Sequence, residues 1–277
     1  MKDSHIAWTH HTFNGWIGCT RVSEECDRCY AAALDARYGY TKNGWGKGAP
    51  RKLRPDSAWR EPLQWNNEAA EMGTRSRVFC ASLADVFDAE VPPEWRARLF
   101  ELVAATPSLD WLLLTKRPQL IRRQLEAIDV WKGMPLPNVW IGFSAGNQRN
   151  FDSRWRHVRT IPAAVRFCSY EPAIGPLVLP QHCQGNLHWL ICGGETAQQK
   201  EQSRRMLPAW SRAIRDQSKK MGIPFFFKQW GNWIPTPAGD QRWFGKTAAF
   251  YREKSHMLDG TEHKQFPTSS SNKYQLL

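Results

Sequence analysis

The feature that most constrains this chain is a series of short apolar runs, each ended by polar residues. Residues 77–82, 110–115, 138–143, 165–169, 188–192 and 223–228 are rich in β-branched and aromatic side chains and nearly continuous in hydrophobicity. Such runs read as strands buried on both faces, the pattern of a parallel sheet. Amphipathic helical stretches separate several of them: Pro92 to Ala105, Pro118 to Ile128, and Pro208 to Met221 before Gly222. The first polar residues after the runs are Asp85, Lys116, Ser144, Glu171, Glu195 and Lys228, spaced 24 to 33 residues apart. That is the length of a repeated β-α unit.

Six units, with a further strand expected around Ile6–Thr9, predict an α/β fold: a full or partial β/α barrel, with a doubly wound open sheet as the alternative. Either architecture gathers the C-terminal strand ends where sites are built. Helix capping is the competing role for Ser144 and Asp85. Residues 36–76, rich in Gly, Pro and basic side chains, read as an insertion or lid within a single domain of residues 1–277. Residues 268–277 read as a loose tail.

Fifteen Trp and a net charge of +12 accompany this pattern. Three stretches, 41–60, 149–166 and 200–220, together carry +14, leaving the remainder near −2. Basic side chains interleaved with Trp suit a polyanion whose bases stack, and a solvated basic surface is the plainer alternative. For Trp45, Trp59 and Trp65, packing the insertion onto the barrel is as good a reading as base stacking. No apolar run reaches the roughly 18–20 residues of a membrane span. The first residues lack the apolar core of a secretory signal, so a soluble cytoplasmic protein is expected. No Ser-His-Asp order or phosphate-binding loop supports a hydrolase or kinase.

Seven Cys without a secretory signal argue against a disulfide framework. Three of them, Cys19, Cys26 and Cys29, form a C-x6-C-x2-C loop after Gly15 and Gly18, with a helix expected from Tyr30. Three thiolates on one loop make a metal or cluster site. Zinc wants a fourth ligand, for which His5, His10 and His11 are available. An iron–sulfur cluster on three Cys leaves one iron open. The spacing alone is compatible with both. The carboxylate of Cys192-Gly-Gly-Glu195 would receive a positively charged amino group at such an open iron.

The three-Cys loop, the barrel pattern and the Gly-Gly-Glu segment together resemble radical S-adenosylmethionine enzymes. The ordered series Trp8-Thr9, Asn14-Gly-Trp16, Gly18-Cys19, Cys26-x2-Cys29-Tyr30-Ala31, Leu114-Thr-Lys-Arg-Pro118, Tyr170-Glu-Pro172, Cys192-Gly-Gly-Glu195 and Pro224 to Gly231 resembles the phage Gp37/Gp68 family over residues 6–267. The resemblance implies a [4Fe-4S] cluster on Cys19, Cys26 and Cys29, with S-adenosyl-L-methionine chelating the fourth iron. It implies cofactor contacts from Gly193, Gly194, Glu195, Ser144 and Glu171, and an external electron donor. The commonest loop of such enzymes is C-x3-C-x2-C, whereas this first gap holds six residues and the Gly-Gly-Glu follows a late strand.

The resemblance further implies DNA carrying a modified thymine as substrate and, in the host cytoplasm, isomerisation of N-linked to C-linked glycyl-thymine during thymine hypermodification. Lys116, Arg117 and Arg166 are the candidate substrate-binding residues, with Arg204 and Arg205 as further phosphate contacts. Two other readings stand beside this one: radical modification of another nucleic acid such as tRNA, and a zinc-stabilised nucleic-acid-binding protein without catalysis. Nothing in the sequence sets the oligomeric state.

Overall fold

The computed structural model describes residues 1–131, 135–197, 202–235, 241–243 and 255–268, with backbone alone at 241–243. The six expected strands form, and the first strand lies a few residues later than expected. They are β1 (His11–Phe13), β4 (Ser76–Cys80), β5 (Leu109–Thr115), β6 (Val139–Ser144), β7 (Val165–Tyr170), β8 (Trp189–Gly193) and β9 (Phe225–Gln229). All neighbours are parallel, in the order β1-β4-β5-β6-β7-β8-β9. Between β1 and β4 come the two-residue strands β2 (Trp16–Ile17) and β3 (Lys52–Leu53), which pair antiparallel.

The order never reverses along the sheet, so there is no switch point of a doubly wound fold. Among the described residues β1 and β9 do not pair with each other, and the sheet curls into a half-barrel. The partial barrel is the architecture. The edge of β9 is covered by the returning segment 263–265. Phe227 N–H donates to the His263 carbonyl at 2.8 Å, and Gln265 N–H to the Phe225 carbonyl at 3.2 Å. A covered edge does not recruit another chain's strand.

Alternate residues of each strand face opposite sides. The inner face holds Phe79, Leu112, Trp140, Val165, Phe167, Trp189, Ile191 and Phe226, closed from below by Trp8 and Phe266. Gly142 makes room there, since a Cβ would lie 2.2 Å from the Phe167 ring. The outer face packs Val78, Trp111, Leu113, Ile141, Phe143 and Leu190 against the helices. These are α1 (Tyr30–Tyr38), α2 (Asp56–Glu71), α3 (Pro93–Ala104), α4 (Ile121–Glu126), α5 (Gln148–Val158) and α6 (Pro208–Met221).

Two helices depart from the expectation. The second half of segment 36–76 is α2, whose Trp59, Trp65 and Ala69 pack into the outer core. Pro62 lies inside it, where the ring removes one backbone hydrogen bond and hides the helical pattern. Helix α5 falls in a stretch that reads simply as basic. It is capped by Asn147, whose side chain accepts from Asn150 N–H at 3.0 Å.

The Trp excess belongs to the core. Of the fourteen Trp side chains described, ten are buried and four half-buried, so their number carries no case for base stacking. Much of the basic excess is likewise committed to ion pairs, through Arg51, Arg154, Arg204, Arg212 and Arg215. No described helix is long and apolar enough to cross a membrane. The expected tail, from residue 269 onward, lies outside the described residues.

Candidate active site at the barrel mouth

A cavity of about 120 Å³ opens at the C-terminal ends of β4, β5 and β6. Cys19, Cys26 and Cys29 all line it, with Tyr30, Trp45, Asp85, Lys116, Arg117 and Ser144. All three thiols are free. The thiolate-rich donor set is what an iron–sulfur cluster takes, and each cysteine of such a cluster holds its own iron. No three His, Cys, Asp or Glu side chains among the described residues are arranged to hold a single metal ion. The histidines available to zinc lie elsewhere. His10 Nδ1 accepts from Arg77 N–H at 2.8 Å, His11 stacks on Trp65 at 4.6 Å, and His5 is exposed; no histidine lines the cavity.

The cysteine loop is held from three sides. Within its six-residue gap, Glu25 is buried; its Oε2 accepts from Arg154 Nη1 at 2.5 Å and Ser23 Oγ at 2.7 Å, and its Oε1 from Asn150 Nδ2 at 3.1 Å and from Gly146 N–H. Glu24 accepts from Asn147 at 2.7 Å and Asn150 at 3.1 Å. The acidic pair thus ties the loop to the start of α5. Burial works against the Glu25 charge, yet Arg154 and Lys116 hold its carboxyl below the ordinary value. On a second side Arg51, its side chain fully buried, bonds Thr20 Oγ1, Asp88 at 2.8 Å and Glu90 at 2.8 Å. On the third, Arg117 pairs with Asp85 at 2.8 Å and places its Nη1 3.4 Å from Cys19 Sγ.

These contacts set the charge states. Burial and the neighbouring Asp85 push the Cys19 thiol up to about 12, with Arg117 pulling the other way. A metal that takes Cys19 as thiolate must displace that proton. Burial opposes the Lys116 charge as well, but Cys26, Glu25 and Cys29 raise its pKa above the ordinary lysine value. Lys116 is therefore a cation inside the cavity.

The other expected site residues divide by position. Ser144 lines the cavity and leaves the capping of α5 to Asn147. Asp85 accepts from Thr115 Oγ1 at 2.7 Å, Lys116 N–H at 3.1 Å and Phe87 N–H at 3.0 Å, so it organises the β5 end. Glu171 lies further along the mouth, paired with Lys228 at 2.5 Å. A Cβ at Gly193 would sit 3.2 Å from the Glu171 carboxyl carbon.

Glu195, 4% exposed, is engaged by Arg204, whose backbone N–H lies at 2.8 Å and Nε at 3.1 Å; Arg28 stands 3.7 Å away. Arg205 stacks on Trp233, 4.1 Å from the ring centre. Arg166 is not brought to the site. It sits near the start of β7, at the opposite end of the barrel, where its guanidinium bonds the Asn186 carbonyl at 3.0 Å and the Ile161 carbonyl at 3.4 Å.

Glu25, Arg154 and Arg51 escape sequence reasoning as site residues. The Glu24-Glu25 pair between two cysteines is a signal, but its partner Arg154 lies 129 residues away.

Gly194 allows two chain segments to touch. A Cβ there would lie 1.9 Å from the Trp230 carbonyl oxygen, and backbone cannot yield as a side-chain end can. Gly194→Ala is therefore expected to destabilise the fold by about 1–3 kcal/mol or more. A urea midpoint unchanged from wild type would show that the contact relaxes without cost.

No curated protein matches this sequence. Among solved structures, the chain is similar to a spore photoproduct lyase double mutant with bound AdoMet and dinucleoside spore photoproduct. That similarity has a TM-score of 0.46 and 16% identity, over 76% of this chain and 62% of the other. A single mutant of spore photoproduct lyase with dinucleoside spore photoproduct gives 0.43 and 16%, over 74% and 59%. The chain thus spans about three fifths of the length of these structures. One family matches almost end to end: over residues 3–267 the chain belongs to the family described as "Protein of unknown function (DUF5131)".

Proposed function

We propose that this chain is a radical S-adenosylmethionine enzyme acting on a modified base in DNA. One observation carries the reading: three free thiols of a single loop line one cavity at the C-terminal mouth of a parallel half-barrel, beside the half-buried Lys116. Cys19, Cys26 and Cys29 would hold a [4Fe-4S] cluster. When bound, the cluster with S-adenosylmethionine supplies reductive cleavage of the sulfonium and abstraction of an unactivated hydrogen, with the electron coming from an external donor.

The chain's own residues orient and enclose. Lys116 offers its ammonium inside the cavity to a carboxylate. Ser144 offers a hydroxyl on the same wall, and the Glu171–Lys228 pair stands further along the mouth. Glu195 meets an amino group only if it exchanges Arg204 for it. Trp45 lines the cavity between the exposed Lys42 and Lys47, a rim suited to a base taken out of its stack.

The finer reading rests on the resemblance of the ordered motifs to the phage Gp37/Gp68 family. It is isomerisation of N-linked to C-linked glycyl-thymine in phage thymine hypermodification, within the host cytoplasm. Lys116 is then the partner of the glycine carboxylate.

The test is anaerobic reconstitution with iron and sulfide, followed by reductant, S-adenosylmethionine and DNA carrying N-linked glycyl-thymine, with tRNA as the comparison substrate. The expected result is 5′-deoxyadenosine together with the C-linked product in DNA. Product on tRNA alone would move the substrate. A colourless protein holding one zinc and forming no 5′-deoxyadenosine would overturn the enzyme.

A further inference from the structure

Lys116 and Arg117 are adjacent in sequence but do different things at the mouth. Lys116 stands in the cavity, with Cys26 and Cys29 among the groups that hold its charge. The side chain of Arg117 is only 6% exposed, and its guanidinium is gripped on several sides. It pairs with Asp85 Oδ2 at 2.8 Å, lies 3.8 Å from Asp88 and donates to the Thr20 carbonyl. Asp85 is itself fixed by Thr115, Lys116 N–H and Phe87 N–H. An arginine held this way cannot swing out to a substrate without leaving a buried carboxylate unpaired. What remains within its reach is Cys19 Sγ, 3.4 Å from Nη1. Among the described residues, Cys19 alone of the three loop cysteines receives a charged donor of this kind.

We propose that Arg117 is a positioning residue for Cys19 that also sets how readily the cluster on this loop accepts an electron. The inference rests on the cluster reading above. Reduction adds negative charge to the cluster and its thiolates. A fixed guanidinium hydrogen-bonded to one sulfur stabilises that added charge, and hydrogen bonds and net charge at the sulfurs are what tune such potentials. Asp85 acts in the opposite sense, because it orients Arg117 while offsetting part of its field. The pair therefore makes two predictions of opposite sign.

The measurement is a potentiometric titration of the reconstituted protein, read by the electron paramagnetic resonance signal of the reduced cluster. Arg117→Met is expected to make reduction at least tenfold less favourable, a midpoint lower by about 59 mV for one electron. Arg117→Lys keeps the charge without the fork and is expected to recover part of the shift. Asp85→Asn is expected to raise the midpoint, and it keeps the inference testable if Arg117→Met does not fold. Wild-type protein that takes up no iron–sulfur cluster would sink the cluster reading and this inference with it. Wild type that loads normally, with the wild-type midpoint kept by Asp85→Asn and by Arg117→Met wherever it folds, would overturn this inference alone.

Discussion

Replacing Cys19, Cys26 or Cys29 by alanine is expected to abolish the broad visible absorbance of the reconstituted protein and its 5′-deoxyadenosine. The loss should be at least about 10–100-fold in cluster affinity, the range already seen for residues that only orient a ligand. The three thiols line one cavity from one loop, so none of the other cysteines can replace a missing one. Cys80, Cys168, Cys183 and Cys192 are buried, and Cys192 packs 3.8 Å from the Met206 sulfur. Alanine at Cys168 or Cys183 is the control expected to leave the absorbance intact. The fold should survive the loop substitutions, because the loop is pinned through Arg51, Glu25 and Arg117 rather than through its thiols. Circular dichroism unchanged from wild type alongside lost absorbance would separate ligand loss from unfolding. A Cys26→Ala variant that retains the full absorbance and product would sink the assignment.

The largest expected effect on stability comes from Arg154→Ala. The Glu25 side chain is fully buried and that of Arg154 is 7% exposed, joined at 2.5 Å. Arg154 also donates to the Ser144 carbonyl at 2.7 Å and to Ser23 Oγ at 2.9 Å. Removing one partner of a buried pair strands the other charge, at a cost of about 3–5 kcal/mol. The double variant Glu25→Gln, Arg154→Met removes both charges and should recover much of that loss. Glu25 lies between Cys19 and Cys26 and Arg154 holds it to α5, so Arg154→Ala should also lower iron content at temperatures where the protein remains folded. Urea unfolding of the single and double variants checks the energetics. Equal midpoints for Arg154→Ala and wild type would mean that Glu25 finds water or another cation.

The sequence was informative wherever one local pattern sufficed. The β-α spacing placed the strands from β4 to β9, and Gly222 marked the end of α6, where it takes a left-handed φ of 66°. The three-Cys spacing, within eleven residues, identified the loop that lines the cavity. Local pattern misled where a residue type serves two purposes. Pro62 reads as a loop marker and sits inside α2. Of the three Trp for which packing and stacking are equal readings, Trp59 and Trp65 are buried in the core while Trp45 lines the cavity. The Trp excess as a whole is largely core, with Trp189 surrounded by Trp8, Trp140, Phe167, Phe226 and Phe266. An aromatic ring's burial depends on which strand neighbours it meets, and that is a long-range fact.

By itself, then, the sequence determined the parallel sheet, the polar strand ends and the cysteine loop, because each is written in residues near one another along the chain. Only the tertiary structure decided what each charge does. Arg166 and Arg117 are equally basic in sequence, yet one ends at the floor of the barrel and the other against Cys19. Glu25 finds Arg154 across 129 residues, and Arg204 reaches the Glu24 carbonyl across 180. A buried charge must find an opposite partner to be tolerated at all. Which partner it finds depends on how the strands curl, and that curl brings the cysteine loop, the start of α5 and the end of β5 to one mouth.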